Sequence, residues 1–126
     1  MYQILIVDDH ALTRMGVVQY IQHVLGNVQI TEAETVRKQS YDLMFLDIDL
    51  PDRSGLDILV DVKCVRPKMP VVFLSGLMDY AFASQAMRGG ASGYVEKGCP
   101  PEELRKALTQ VLSGGRYISG PMAERL

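Results

Sequence analysis

The sequence predicts an α/β domain: a parallel sheet of five strands with helices on both faces. Five short runs suited to strands are separated by longer stretches, most with apolar residues at helical spacing. The first run, QILIV, is apolar and β-branched throughout, as a strand buried on both faces must be. Glycines and prolines fall between the runs, where turns are needed.

Taken in order, QILIV (3–7) is the first strand. Leu12, Met15, Val18, Ile21 and Leu25 mark the inner face of a helix that Gly26-Asn27 stops. QITEA (29–33) is the second strand and DLMFLD (42–47) the third. Ser54 begins a helix carrying Leu56, Leu59, Val62 and Val65, ended near Pro67. PVVFLSG (70–76) gives the fourth strand, YAFASQAMRGG (80–90) a helix ended by two glycines, and GYVEK (93–97) the fifth strand. In PPEELRKALTQVLSGG prolines open a helix, glutamates fill its first turn and glycines follow it. Leu104, Ala107, Leu108, Val111 and Leu112 form the face that packs on the sheet.

The 126 residues suit one domain, and 48% hydrophobic residues supply a core. No run approaches the ~18–20 apolar residues of a membrane span, so no membrane association is expected. The start MYQILIVDDH lacks the layout of a secretory signal. A net charge of −2 argues against nucleic-acid binding by this chain itself. Cys64 and Cys99 have no metal or redox spacing and read as reduced thiols of a cytosolic protein.

The stretch FLDIDLPDRSG (45–55) crowds Asp47, Asp49 and Asp52 at the end of a buried strand. Alone it reads as a loop, since Asp, Pro, Ser and Gly are turn residues. In parallel α/β sheets, however, the functional crevice lies outside the carboxyl ends of the strands. Strand one ends in Asp8-Asp9, strand three in Asp47, strand four in Ser75-Gly76 and strand five in Lys97-Gly98. Each has a plainer explanation, as a cap, a turn or a solvated lysine. Together they deliver three carboxylates, a hydroxyl and an ammonium to one rim. Carboxylates this close need a cation, and Mg²⁺ suits oxygen donors while keeping several waters. A carboxylate can attack phosphorus, and the transferring phosphoryl group calls for a metal, a lysine and a hydroxyl donor.

VDD (7–9), LDIDLPDRSG (46–55), LSG (74–76) and YVEK (94–97) occur in the order found in response-regulator receiver domains of two-component signalling, and residues 3–115 resemble that family. The resemblance implies a flavodoxin-like doubly wound sheet of order 2-1-3-4-5. It implies Asp47 as phosphoacceptor, with Asp9 and Asp47 binding Mg²⁺ directly and Asp8 assisting through water. The backbone carbonyl of Asp49 would be a further metal ligand. Lys97 would pair with the phosphoryl group, Ser75 would hydrogen-bond it, and Tyr94 matches the family's switch aromatic, where the alternative is a rim tyrosine with a wet hydroxyl. The closing GGRYISGPMAERL and the DDH at 8–10 resemble the subfamily that continues into a LuxR-type helix-turn-helix domain. The implied division is a receiver over 1–115 and a linker over 116–126 leading to a DNA-binding domain absent from these residues. A sensor histidine kinase as donor, dimerisation on phosphorylation, DNA contact only through that further domain and a cytoplasmic location follow from the same resemblance, as does a role other than that of an enzyme.

Two features depart from the family. Gly98 stands where most receivers have proline after a cis peptide, and a cis bond to a residue other than proline costs roughly 3–4 kcal/mol. Asp9 and Asp47 are 38 residues apart, about six fewer than the resemblance leads one to expect. The shortfall lies in ETVRKQSY (34–41), where the second helix belongs. The crossover must span on the order of 20 Å, whereas eight residues of helix advance only about 12 Å. At most one helical turn near Val36 to Gln39 is expected, with an apolar strip of sheet left open beside it.

Other classes use similar parts. A haloacid-dehalogenase-type phosphohydrolase has an Asp-x-Asp nucleophile, but its acidic pair comes late in the chain. A flavodoxin-like electron carrier needs a phosphate loop, and DDHALTR is not one. A stand-alone receiver, or a degenerate one serving only as a protein-binding module, is the remaining alternative.

Overall fold

The computed structural model describes residues 1–33, 40–48, 50, 54–76 and 79–120. Six parallel strands form one sheet: β1 (Tyr2–Val7), β2 (Val28–Ala33), β3 (Leu43–Asp47), β4 (Val71–Ser75), β5 (Gly93–Glu96) and β6 (Tyr117–Ile118), in the order β2-β1-β3-β4-β5-β6. Four helices are found among the described residues: α1 (Ala11–Leu25), α2 (Gly55–Val65), α3 (Tyr80–Arg88) and α4 (Pro101–Leu112). The expected order of five strands is present, with a sixth added at the β5 edge.

The central strands are apolar because both faces are covered. Every residue of β3 and β4 is buried. Ile4 and Ile6 of β1 join Ile21 of α1 and Leu104, Ala107, Leu108 and Val111 of α4 in one core layer. Leu5 and Val7 face the other way, toward Ile58, Leu59 and Val62 of α2 and Ala83 and Ala86 of α3. α2 and α3 start where the sequence supplies a side-chain cap. Ser54 Oγ accepts from Leu56 N–H at 3.2 Å, and Asp79 Oδ1 accepts from Phe82 N–H at 3.0 Å.

Three sequence expectations meet a different geometry. On α1, Leu12 and Met15 are exposed rather than packed, at 85% and 53%. The helix has apolar residues around most of its circumference, and the sheet takes the side bearing Val17, Val18, Ile21, Val24 and Leu25. Residues 116–126 were expected to leave as linker, yet Tyr117 and Ile118 pair in register with Gly93 and Tyr94. Two residues are too short for strand periodicity to show. The site itself explains this pairing: a Cβ on Gly93 would meet the Tyr117 carbonyl oxygen at 2.9 Å, so the glycine lets the two strands approach. No cis peptide occurs among the described residues. The chain turns after Lys97 through Gly98 at φ +78°, a left-handed conformation that suits glycine.

The apolar strip expected beside the short crossover is not seen among the described residues. Leu5 and Val7 are buried, and their β2 partners in register are Thr31 and Ala33. Polar or small side chains on that face of β2 leave little apolar surface to uncover. The single turn expected near Val36 to Gln39 falls outside the described residues.

Candidate functional site

The carboxyl ends of β1, β3, β4 and β5 bring Asp8, Asp47, Ser75 and Lys97 together, as the sequence led us to expect. Asp47 is the last residue of β3 and Asp8 follows β1 directly, and β1 and β3 are hydrogen-bonded neighbours. Their adjacency in the sheet, rather than in sequence, makes the pair. Asp8, Asp47 and Ser75 are fully buried, while the Asp9 side chain is 31% exposed.

Lys97 reaches this cluster from the turn after β5. Its Nζ lies 3.0 Å from Asp47 Oδ2 and 3.6 Å from Asp8 Oδ2. Lys97 N–H also donates to the Ser75 carbonyl at 2.7 Å, which fixes the root of the side chain to the end of β4. Two buried carboxylates beside one ammonium leave negative charge in excess. Burial is the main cause that pushes the Asp8 carboxyl above its usual range, and the charge of Asp47 adds to it. The His10 N–H and the charge of Lys97 oppose that rise.

One participant was not expected. His10 Nδ1 lies 3.1 Å from Asp9 Oδ1, 3.2 Å from Asp8 Oδ1 and 3.3 Å from Asp47 Oδ2. Hydrogen bonding to Asp47, then to Asp8, raises the imidazole above its ordinary pKa. The sequence signal was its place directly after the acidic pair, on the turn that leads from β1 into α1.

A divalent cation fits these residues. Asp8 Oδ2 is buried and makes no hydrogen bond, although a buried carboxylate oxygen ordinarily has a partner. Donor atoms of Asp8, Asp9, His10 and Asp47 all lie within 4.8 Å of one another. Carboxylate oxygens are the ligands that hard divalent cations take. Asp49, expected to offer its backbone carbonyl, lies outside the described residues.

Tyr94 is fully buried rather than at the rim. Its ring centroid lies 6.1 Å from that of Phe82, whose ring meets Phe73 edge-on at 5.1 Å. A wet rim hydroxyl is therefore not what this residue is.

Comparison with known proteins accounts for the arrangement. The family described as the response regulator receiver domain matches residues 4–109. The chain belongs to that family. Among its relatives, the transcriptional activator protein ExaE of Pseudomonas putida is 31% identical over 130 residues, covering 98% of this chain and 61% of that protein. The response regulator GacA of Pseudomonas aeruginosa is 30% identical over 133 residues, covering 100% of this chain and 62% of that protein. The chain thus spans a little over three fifths of the length of these two curated relatives. The crystal structure of a LuxR family DNA-binding response regulator from Silicibacter pomeroyi superposes with a TM-score of 0.83 at 27% identity, covering 96% of this chain and 99% of that one. The match over residues 4–109 supports the receiver reading over the phosphohydrolase alternative that the Asp-x-Asp motif brought into consideration. No helix among the described residues is long and apolar enough to cross a membrane.

Proposed function

We propose that this receiver domain accepts one phosphoryl group on Asp47 from a phosphohistidine of a sensor kinase. One observation carries the reading: Asp47 is fully buried at the end of β3 with the Lys97 ammonium 3.0 Å from its Oδ2. A carboxylate held there, out of bulk water and beside a cation, is placed to attack phosphorus and to keep the product charge compensated. In the transfer an Asp47 oxygen forms a bond to phosphorus as the P–N bond of the donor breaks. The departing imidazole nitrogen keeps the electron pair.

Asp9 and Asp47, with Asp8 and the backbone of Asp49 assisting, would hold a Mg²⁺ ion, which would supply charge neutralisation for the phosphoryl oxygens. Lys97 pairs with the added charge, and Ser75 at the end of β4 donates a hydrogen bond to it. Tyr94 is the switch residue. Buried against Phe82, it occupies the inward position that movement of Ser75 toward the phosphoryl group favours.

The longer relatives support placing this domain in a transcription regulator of the cytoplasm. Residues 116–126 then lead toward a LuxR-type DNA-binding domain, and phosphorylation promotes pairing of two chains. DNA is contacted only through that further domain. On this reading the chain has no enzymatic role toward an external substrate.

Intact-mass measurement after incubation with acetyl phosphate and Mg²⁺ tests the assignment. One added phosphoryl group, lost on treatment with hydroxylamine, is expected for the natural chain and none for Asp47→Asn. Undiminished labelling of that variant would sink the role of Asp47.

A further inference from the structure

We propose that His10 is itself a ligand of the divalent cation, through Nδ1, and gives the centre a nitrogen donor. The inference rests on the reading of a cation at the rim and extends it to a residue that reading leaves out.

Distances carry the argument. The Nδ1 atom lies 3.1, 3.2 and 3.3 Å from one oxygen each of Asp9, Asp8 and Asp47. In a six-coordinate shell with bonds near 2.1 Å, adjacent donors are about 3 Å apart and opposite ones about 4.2 Å. The contacts of His10 with Asp9 and Asp47, the two carboxylates that would bind the ion directly, therefore match neighbouring positions of one shell. All four donors lie within 4.8 Å of one another, slightly wider than a shell drawn in around its ion.

The backbone prepares the same arrangement. His10 is the residue before α1 and has an extended conformation, φ −95° and ψ 99°, with no side-chain capping bond. Its ring is therefore free of the helix and can lie over the rim. Its N–H donates to Asp8 Oδ1 at 2.7 Å, so the residue that offers the imidazole also orients a carboxylate. Asp8 Oδ2, buried and without a hydrogen bond, is the oxygen left for an ion or its water. The His10 side chain is 56% exposed, which leaves its outer side open to waters that complete a shell.

The competing account is that the ring merely stands in for a cation and leaves when a metal arrives. The two accounts differ in sign. Imidazole favours cobalt, nickel and zinc, whereas carboxylate and water suit magnesium and manganese. If His10 ligates, its removal weakens nitrogen-preferring metals selectively. If it only stands in, its removal strengthens binding of all of them.

The experiment is calorimetric titration of the chain and of His10→Gln with Mg²⁺ and with Co²⁺, joined to pulsed EPR of the Mn²⁺ complex. We expect Co²⁺ affinity to fall at least roughly tenfold in the variant, Mg²⁺ affinity to change much less, and a directly bound nitrogen to appear in the natural chain only. Absence of a nitrogen coupling in the natural chain, or equal or tighter binding of both metals by His10→Gln, overturns the proposal. Failure of the natural chain to bind any of these ions overturns the cation reading, and this one with it. Binding that is lost in Asp9→Asn yet unchanged in His10→Gln overturns only the role of His10.

Discussion

β3 is flanked by two aspartates that share a chemistry and little else. Asp42, just before the strand, is exposed, and its Oδ2 accepts from Gln3 N–H at 2.7 Å while its own N–H donates to the Gln3 carbonyl at 2.7 Å. Asp47, at the other end, is fully buried with the Lys97 ammonium and the His10 imidazole as its neighbours. The contrast extends to the whole sheet. The buried polar residues among those described are Asp8, Asp47, Ser75 and Ser119, all at the carboxyl ends of strands. At the amino ends, carbonyls and amides close on one another, as between Met44 N–H and the Pro70 carbonyl at 2.9 Å. One end of the sheet is closed by hydrogen bonds of ordinary strength. The other holds charge that is costly to bury.

The sharpest way to break this comparison is to remove Lys97. Lys97→Ala removes the ammonium that lies 3.0 Å from Asp47 and 3.6 Å from Asp8 and leaves both carboxylates buried. Without divalent ions at neutral pH, urea unfolding is expected to show a loss of about 2–4 kcal/mol, part of it regained on adding Mg²⁺. An unchanged midpoint would mean that the rim is no more strained than the opposite end.

Gly98→Ala comes next. At φ +78° a side chain costs about 1–2 kcal/mol, and nothing lies within 4 Å of the added Cβ to complicate the result. Because Gly98 follows Lys97, labelling by acetyl phosphate is expected to slow as well as stability to fall. Slowing without destabilisation would show that the turn is not held in this conformation.

Asp42→Ala should cost about 1 kcal/mol, the worth of its bond to the Gln3 amide, and leave labelling by acetyl phosphate unchanged. A labelling defect here would erase the distinction between the two ends.

The smallest expected effect is on Tyr117, whose phenol is pushed up to about 12, chiefly by burial and then by Glu103. A pKa raised in the folded state adds stability that is present below the ordinary value of 10 and is lost as pH rises through about 12. Unfolding midpoints of the natural chain should therefore decline between pH 10 and 12 more steeply than those of Tyr117→Phe. Parallel declines would show that the hydroxyl is not held by the fold.

What could be read from the sequence follows the same division. The strands were legible because burial on both faces makes them continuously apolar, as in LMFLD and VVFLS. Asp8, Asp47, Ser75 and Lys97 were legible because strand ends in a parallel sheet converge on one rim. The face of α1 was not, because its apolar residues nearly encircle the helix and the sheet's demand chooses among them. His10 was missed because a histidine beside two aspartates carries no spacing of its own; only the fold brings Asp47, 37 residues away, to its ring. β6 was missed because its two residues are fixed by partners rather than by pattern.

That last strand changes how the end of the described chain relates to its middle. Ser119 N–H donates to the Tyr94 carbonyl at 3.0 Å, and Ser119 Oγ accepts from Glu96 N–H at 3.1 Å. Arg116, just before, donates to the carbonyls of Met87 and Ala91. The outgoing segment is therefore stitched to the same stretch of β5 that carries the proposed switch, one peptide away from it. A slack tether would average out a shift of Tyr94; a stitched one inherits it, so that the direction in which the chain departs becomes a readout of the sheet edge it departs from.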